Sequence, residues 1–184
     1  MIRQATPRDL MGVYAVVNSS LDDYFAETTI EFFMAQWPEG QFVSADLFGR
    51  IDGALCGAIL DRGRVTVSLL AVDSGSRGRG VGTALMDGLK RRCFMEGRTT
   101  IQLEVRTTNA NAIRFYRRNG FEISETLPSF YNDGGSAYRM VCRLSGRPSL
   151  LPECEVYGQR THGDDACDQG RDDRRVVLLD RLHA

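Results

Sequence analysis

The stretch that decides the fold reads LLAVDSGSRGRGVGTALM and spans residues 69–86. An apolar run, 69–72, is followed by a short linker and then by the glycine-rich segment 77–82. This order predicts a buried strand, a tight turn and a helix that begins on the last glycines. The first N–H groups of a helix have no partner within it and carry partial positive charge. Glycines let an anion approach these groups, and Arg77 and Arg79 add cationic charge, so we expect a phosphate-bearing cofactor here.

Two common phosphate-binding motifs do not fit this segment. A Walker A loop needs a Gly-Lys pair, and the chain has none. A dinucleotide-binding turn needs Gly-x-Gly-x-x-Gly, whereas these glycines fall at 78, 80 and 82. Glu104 follows the glycines at about the sequence separation of the acidic residue that binds a ribose in dinucleotide-binding folds. The exclusion of a dinucleotide-binding turn therefore rests on glycine spacing alone.

The pattern that remains is Arg-x-x-Gly-x-Gly after a strand and at a helix start, over residues 77–82. It resembles the pyrophosphate-binding turn of the GNAT acyl-CoA N-acyltransferases. The alternative is a tight turn that only packs a helix against a strand, because short glycine motifs also occur by chance.

The whole chain has 184 residues and a net charge of −1, which gives no bulk basic field to attract nucleic acid or a membrane. It has no run of 18 apolar residues, and its first residues lack the apolar core of a signal peptide. We therefore expect a cytoplasmic protein. Its five cysteines form no Cys-x-x-Cys pair and are interpreted as reduced, structural thiols.

The composition changes at residue 145. Residues 145–184 carry six Arg against eight Asp or Glu, with one short apolar run at 176–179. This predicts a folded domain over 1–144 and a polar, weakly ordered tail over 145–184. The tail holds four potential zinc ligands whose spacing fits no familiar site, so no metal is predicted: Cys154, His162, Cys167 and His183.

Hydrophobic periodicity and turn residues predict an α/β domain. The predicted elements are a strand at 2–5, helices at 6–18 and 29–37, strands at 42–45, 54–60 and 65–72, a helix from the glycine turn to 96, a strand at 101–105, a helix at 110–118, and strands at 121–127 and 137–144. Turns are placed at Asp52-Gly53 and at Arg62-Gly63. The order is that of the GNAT fold, a mixed, mostly antiparallel twisted sheet with helices on both faces.

Three further stretches sharpen the resemblance: LEVR at 103–106, NANAIRFYRRNGF at 109–121 and YNDGGSAYRM at 131–140. They look like the ribosomal-protein and N-terminal α-amine acetyltransferases of the GNAT superfamily, and the likeness covers residues 1–144. It implies transfer of an acetyl group from acetyl-CoA to an amine. The implied acceptor is the N-terminal α-amine of a protein or peptide, including ribosome-associated proteins, with no direct contact to nucleic acid or membrane.

The resemblance also implies roles for individual residues. Glu104 accepts the proton of the amine, and Tyr116 protonates the departing CoA thiolate. The backbone of the strand end pairs with the pantetheine arm, the glycine turn holds the pyrophosphate, and Asn109 lies on the pantetheine side. The implied cofactor-binding residues are Leu70, Ala71, Val72, Arg77, Gly78, Arg79, Gly80, Val81, Gly82, Thr83, Asn109 and Tyr116.

The residues themselves support these roles only in part. Residues 1–144 contain no histidine, so a general base must be a carboxylate, a tyrosine, a cysteine or a water chain. Glu104 could instead be an ordinary strand residue paired with Arg106. Tyr116 could serve only as core, and Asn109 could serve only as a helix cap.

Two loops, 21–27 and 130–136, are expected to flank the acceptor. Their aromatic residues would form a narrow slot over a peptide backbone; the substrate-binding residues predicted are Tyr24, Phe25, Tyr131 and Tyr138. Nearby acids would hold the ammonium group or act only as solvated charges: Asp22, Asp23, Glu27 and Asp133. An α-amine suits such a site because its reference pKa near 8 leaves a sizeable neutral fraction at pH 7. A small amine such as a polyamine or antibiotic, and a CoA-binding module without catalysis, remain as alternatives.

Overall fold

The computed structural model describes residues 1–21 and 24–144. The predicted tail at 145–184, with its four potential zinc ligands, lies outside the described residues, as do Asp22 and Asp23. None of the helices within the described ranges has the length and apolar composition needed to cross a bilayer.

Seven strands and four α-helices make up the described part of the chain. The strands are β1 (Ile2–Gln4), β2 (Gln41–Ala45), β3 (Ile51–Ile59), β4 (Arg64–Val72), β5 (Thr100–Arg106), β6 (Glu122–Leu127) and β7 (Ala137–Arg143). The helices are α1 (Leu10–Ser20), α2 (Glu27–Gln36), α3 (Val81–Met95) and α4 (Ala110–Arg118). One sheet runs in the order β1-β2-β3-β4-β5-β7-β6, and only the β4–β5 pair is parallel. The predicted mixed, mostly antiparallel sheet is confirmed.

Two apolar clusters lie on opposite faces of this sheet. The first joins α1 and α2 to β2, β3 and β4, and it buries Val17, Ile30 and Phe33 completely. The second joins α3 and α4 to the other face, where Leu85 and Phe121 are buried. The helices therefore cover both faces, as the sequence predicts.

One predicted turn is wrong. Asp52 and Gly53 lie inside β3, and the turn between β2 and β3 occupies residues 46–50. Asp46 forms this turn because its Oδ1 accepts the N–H groups of Phe48 at 2.8 Å and Arg50 at 2.9 Å. A Cβ atom on Gly53 would lie 2.8 Å from the side chain of Val81, so this glycine lets α3 approach the sheet rather than reversing the chain.

The joint between β4 and β5 positions the site. The two strands pair only over Arg64–Thr66 and Thr100–Gln102. Just beyond this point the register of β4 against β3 skips Ser68, which marks a β-bulge. Bulges bend the strand that carries them. A gap therefore opens between the second half of β4 and the second half of β5.

Candidate active site

The glycine turn adopts the geometry that an anion site requires. Gly78 and Gly80 have φ values of +74° and +83°, in the left-handed region that favours glycine. A Cβ atom at either position would meet no atom within 4 Å, so the surface over the turn is open. Gly80 is the N-cap of α3 and no side chain caps it, which leaves the first N–H groups of the helix, from Val81 to Thr83, facing outward. The predicted pyrophosphate site is chemically consistent with this arrangement.

Two other residues of the turn, Gly82 and Arg77, have different roles. Gly82 is needed for packing, because a Cβ atom there would lie 3.2 Å from the ring of Phe115 on α4. The side chain of Arg77 turns back from the turn, and its guanidinium donates to the carbonyl oxygens of Val72 at 3.0 Å and Ser20 at 3.1 Å. The side chain of Arg77 therefore joins β4 to the end of α1. Arg79 is exposed and is the cationic side chain that remains available at the turn.

The backbone of β4 provides hydrogen-bonding groups to the gap. The N–H of Asp73 donates to the carbonyl of Asp52 on β3, so the backbone of Asp73 points away from the gap. Because these groups alternate along a strand, those of Val72 and Leu70 point towards the gap. The family resemblance implies that these two residues pair with a pantetheine arm, and their orientation is consistent with that role.

Tyr116 lies on α4 and packs against the apolar cluster on the face of the sheet covered by α3. Its ring packs edge-on against Phe115 and Phe121, with centroids 5.3 Å and 5.8 Å away. Burial, and to a smaller extent the nearby Tyr131, raises the pKa of the Tyr116 hydroxyl to about 12. The hydroxyl is therefore a neutral proton donor at physiological pH, although its ring also serves as core.

Glu104 lies on the opposite face of the sheet, next to the same gap. Its neighbours Leu103 and Val105 are buried in the α3 cluster, so the alternation of β5 turns Glu104 to the α1 side. Its carboxylate is only 18% exposed and pairs with Arg139 on β7, whose Nε lies 2.9 Å from Oε1. The alternative partner considered from sequence, Arg106, bonds to Asp133 instead.

Asn109 serves as a helix cap. Its Oδ1 accepts the N–H of Ala112 at 3.0 Å at the start of α4. The side chain is exposed. Contact with a pantetheine arm stays a prediction for this residue.

The loop between α1 and α2 supplies one of the two predicted aromatic residues to the surface. Tyr24 is 64% exposed, and its hydroxyl lies 3.1 Å from that of Tyr14 on α1. Phe25 is instead buried in the core, at 7% exposure, so it does not line a slot. Asn18 holds it there by bonding to both its backbone N–H and its carbonyl. Phe25 immediately precedes the N-cap of α2 and shares the core with Ile30 in the first turn, a hydrophobic staple that the sequence spacing could have revealed.

The loop between β6 and β7 is the second of the two loops predicted to flank the acceptor. The guanidinium carbon of Arg106 lies 3.9 Å from the centroid of the Tyr131 ring, a cation–π contact. The same guanidinium bonds to Asp133, whose pKa is lowered first by the N–H of Gly135 and then by Arg106. Tyr138 lies opposite Val105 in the β5–β7 ladder and packs against the α3 cluster, on the side of the sheet that holds Tyr116.

The sequence pattern of the acetyltransferase (GNAT) family matches residues 11–121, which include the glycine turn, Glu104 and Tyr116. The chain belongs to the GNAT family. An uncharacterized N-acetyltransferase of Methanocaldococcus jannaschii is 33% identical over 142 residues, 77% of this chain and 90% of that protein. N-alpha-acetyltransferase 30 of Schizosaccharomyces pombe is 30% identical over 139 residues, 72% of this chain and 90% of that protein. The crystal structure of Ard1 from Thermoplasma volcanium has a TM-score of 0.75 at 36% identity, covering 79% of this chain and 98% of that one.

This GNAT protein is an N-acetyltransferase, and its residues divide between the two faces beside the β4–β5 gap. The glycine turn and Tyr116 lie with α3 and α4, and Glu104 lies on the α1 side. The described residues contain no group of three or more potential metal ligands. The arrangement provides an acid on one side of the gap and a carboxylate on the other.

Sequence reasoning missed two residues of this site. Arg139 bonds to Glu104 and also to Glu125 on β6, at 2.7 Å. Nothing near Glu104 in the sequence reveals this bridge, because Arg139 lies 35 positions away and the register of β5 against β7 brings it opposite. Tyr14 was missed as the partner of Tyr24 because its helical spacing predicts core.

Proposed function

We propose that this GNAT protein transfers an acetyl group from acetyl-CoA to the N-terminal α-amine of a protein or peptide. The observation that carries the proposal is the position of Glu104 on a sheet face that the described helices leave open. On β3 and β4 that face is packed against α1 and α2, whereas on β5, β7 and β6 it carries partly exposed charged residues. An open face suits a chain terminus better than a small amine, for which an enclosed pocket is typical.

The cofactor would be held by residues of the β4–α3 segment. The first N–H groups of α3 and the cation of Arg79 favour a pyrophosphate. The backbone groups of Leu70 that point to the gap, together with the N–H of Val72, would pair with an extended pantetheine arm, whereas the Val72 carbonyl already accepts a hydrogen bond from Arg77. An N–H in this region would stabilise negative charge on the thioester oxygen. When bound, acetyl-CoA supplies the acetyl group as a thioester and leaves as a thiolate.

The two proton transfers would fall to side chains on opposite faces. Glu104 takes the proton of the α-ammonium group through its carboxylate. Tyr116 gives its hydroxyl proton to the departing sulfur, and its high pKa keeps that proton in place until it is needed. The amine nitrogen loses its second proton as the amide forms, and this proton replaces the one that Tyr116 has given up, so the hydroxyl is restored. Tyr24 and Tyr131 remain the proposed contacts of the acceptor. Tyr138 lies on the face of the sheet opposite to Glu104 and Phe25 is buried, so these two are no longer among them.

The proposal is tested with the purified full-length protein, acetyl-CoA and a panel of acceptors analysed by mass spectrometry. Each peptide is supplied with a free N-terminus and, as a matched sample, with a blocked N-terminus and an internal lysine. Spermidine and an aminoglycoside complete the panel. We expect a single acetyl group on free N-termini and none on the blocked peptides. Acetylation of lysine or of the small amines alone would contradict the acceptor, and absence of turnover on the whole panel would contradict the proposed activity.

The role of Glu104 is tested with Glu104→Gln, which keeps the size of the side chain. The loss of rate should be largest at low pH, where the amine most needs a base, and should shrink as the pH passes the pKa of the amine, near 8. Glu122→Gln is the matched control, because Glu122 is an exposed carboxylate on β6, away from the gap. A loss in Glu104→Gln that is equal at every pH would contradict the role.

A further inference from the structure

We propose that Arg106 is a positioning residue for the acceptor: it holds the ring of Tyr131 at the end of β5, and this placement sets the affinity for the peptide. The inference deepens the proposed function and rests on it, because Tyr131 is a proposed contact of the acceptor there. The contacts that carry it lie where β5 ends beside the loop between β6 and β7.

Arg106 joins the face of the sheet that holds Glu104 to this loop. It is the last residue of β5, two positions after Glu104, so the two side chains share one face. Arg139 pairs with Glu104, and the guanidinium of Arg106 contacts the loop instead. Its central carbon lies 3.9 Å from the centroid of the Tyr131 ring. Its Nη1 donates to both carboxylate oxygens of Asp133, at 2.8 Å and 3.1 Å, so one side chain contacts the loop at two points.

The backbone of the loop is fixed separately by its own hydrogen bonds. The N–H of Tyr131 donates to the carbonyl of Gly135 at 3.0 Å. The N–H of Thr107 donates to the carbonyl of Ser136 at 3.0 Å, which closes the loop against the end of β5. These bonds fix the backbone of Tyr131, but a side chain on a fixed backbone still has several rotamers. The cation–π contact with Arg106 favours one of them.

Gly135 permits the close approach of the guanidinium to the loop. A Cβ atom on Gly135 would lie 2.7 Å from Nη1 of Arg106 and 2.9 Å from Oδ1 of Asp133. The φ angle of Gly135 is not positive, so an alanine fits its backbone and would displace only the ends of these two side chains. The missing side chain at this position therefore serves the contact of Arg106 with the loop.

Tyr131 also lies close to the proposed proton donor on the opposite face. It contributes to the raised pKa of Tyr116, so the two phenols are near enough to interact. Arg106, which contacts the same ring, belongs to the face of Glu104. Tyr131 thus lies where the side of the proposed base meets the side of the proposed acid. An α-amine must reach both sides, so a residue that fixes Tyr131 aligns the acceptor.

The exposure of the cluster indicates positioning rather than a contribution to folding. The side chains of Arg106 and Asp133 are 34% and 61% exposed. An exposed ion pair adds little to the stability of a protein. The loss of Arg106 should therefore change the placement of a loop side chain and leave the fold intact.

The experiment measures steady-state kinetics of the full-length protein with a peptide that has a free N-terminus. Arg106→Gln is introduced into the unaltered protein, into Tyr131→Phe, which keeps the ring, and into Tyr131→Leu, which removes it. In the first two backgrounds we expect KM for the peptide to rise about fivefold, with kcat and the KM for acetyl-CoA little changed. In the Tyr131→Leu background, Arg106→Gln should raise KM no further, because the partner ring is absent.

Arg64→Gln is the matched control. Arg64 lies at the start of β4, far from this loop, and its Nε forms an exposed ion pair with Asp61 at 2.6 Å. Its loss should leave both KM values unchanged. Gly135→Ala is the second variant should Arg106→Gln not fold, because it displaces the guanidinium without removing it and should show the same dependence on the Tyr131 ring.

Three kinetic outcomes would overturn the inference. The first is a KM for the peptide that Arg106→Gln leaves unchanged in the unaltered protein. The second is an equal rise in all three backgrounds, which would show that Arg106 acts on the fold and not through the ring. The third is a rise of the same size in Arg64→Gln.

NMR of labelled arginine side chains separates this inference from the proposed function. Protons above an aromatic ring resonate upfield, and the signals of Arg106 are identified by their disappearance in Arg106→Gln. They should be shifted upfield in the unaltered protein and in Tyr131→Phe, and should lose that shift in Tyr131→Leu. Unshifted signals would overturn the inference whatever the acceptor is. If only a small amine is acetylated, the proposed acceptor is wrong, and the KM for that amine then tests Arg106 in the same variants.

Discussion

The half of the sheet formed by β1 to β4 and the half formed by β5 to β7 differ in how far helices cover them. The first half is packed on both faces, by α1 and α2 on one side and by α3 on the other. In the second half the apolar residues share one cluster, with Leu103 and Met140 fully buried. Its other face carries the Glu104–Arg139–Glu125 bridge. The two halves are joined by three parallel residue pairs.

This difference suits the joint between the two halves, where the candidate site lies. The half that is covered on both faces can support a turn with a fixed backbone conformation. The glycine turn directly follows β4, the last strand of that half. A half with one open face can admit an acceptor and place a carboxylate beside it. The bulge at Ser68 follows directly after the three residue pairs that join the two halves.

If the first half carries the cofactor, a negative charge in the glycine turn should have the largest effect. Gly80→Asp places a carboxylate against the proposed pyrophosphate and a side chain in a left-handed backbone conformation. We expect acetyl-CoA to bind about 10²–10³-fold more weakly, which corresponds to several kcal/mol. Calorimetry of acetyl-CoA binding measures the change.

Gly97→Asp is the matched control for this variant. Gly97 follows the other end of α3, also has a positive φ of +69°, and has no atom within 4 Å of an added Cβ. It adds the same charge and a similar backbone strain far from the turn, so acetyl-CoA affinity should stay within a few-fold. Equal losses in the two variants would show that strain, not the turn, is responsible.

Tyr116→Phe should have the next largest effect and should act on catalysis. It keeps the ring that packs against Phe115 and Phe121 but removes the donor hydroxyl. We expect kcat to fall by about 10²-fold, the low end for acid–base catalysis, because a thiolate is already a tolerable leaving group. Because the pKa of Tyr116 is about 12, the contribution of its hydroxyl should not fade between pH 8 and 10.

Tyr14→Phe provides the comparison on the acceptor side. It removes the hydroxyl that bonds to Tyr24, so KM for the peptide should rise while kcat changes little. Steady-state kinetics of both tyrosine variants with one peptide decide the matter. A fall in kcat of the same size in both would contradict the division of roles.

The first half should also contain the acid-sensitive part of the fold. Arg3 and Thr6 lower the pKa of Asp9 from 3.8 to about 2, with the hydrogen bond from Arg3 as the largest cause. Since the folded pKa lies below the unfolded one, this stabilisation is present above pH 4 and is lost as the pH falls towards 2. Asp9→Asn should lower the free energy of unfolding at pH 7 by about 1–2 kcal/mol, reduced from the full shift because Arg3 is partly exposed.

Urea unfolding at pH 7 and again near pH 2 measures this contribution. The free energies of unfolding of the unaltered protein and of Asp9→Asn should differ at pH 7 and converge near pH 2. The kcat of Asp9→Asn at pH 7 should be unaffected. A difference that persists at the acid pH would show that packing, and not the charge of Asp9, stabilises this corner of the fold.

Truncation after Leu144 should have the smallest effect. From their composition, residues 145–184 are predicted to have too few apolar side chains to offset the entropy of ordering them. We expect kcat to stay within a few-fold of that of the full chain. A large fall in Tm on truncation would show instead that the apolar run at 176–179 contributes to the folded domain.

Local patterns were sufficient to predict most of the fold. The strand, turn and helix over 69–86 and the capped helix after Asn109 depend on neighbours within a few residues, and the structure places them as predicted. The turn at Asp52-Gly53 failed because a glycine that makes room for a helix looks the same in sequence as one that reverses the chain.

The site was less predictable because its partners are set by register. From the sequence, Arg106 is the natural partner of Glu104, two residues along the same strand and on the same face. The ladder instead brings Arg139 opposite and leaves Arg106 to Asp133 and Tyr131. Such pairings depend on how distant strands align, which no local pattern encodes.

The burial of the three cysteines in the described part of the chain has a consequence for kinetic order. Burial raises the pKa of Cys56 and of Cys93 to about 12, and it also raises that of Cys142. A thiol becomes a nucleophile only as its thiolate, so none of these three thiols would form an acetyl-thioester intermediate between two half-reactions. As far as the described cysteines are concerned, this favours direct transfer with both substrates bound together: initial-rate lines should then intersect rather than run parallel, and labelled CoA should not exchange into acetyl-CoA until an amine is present.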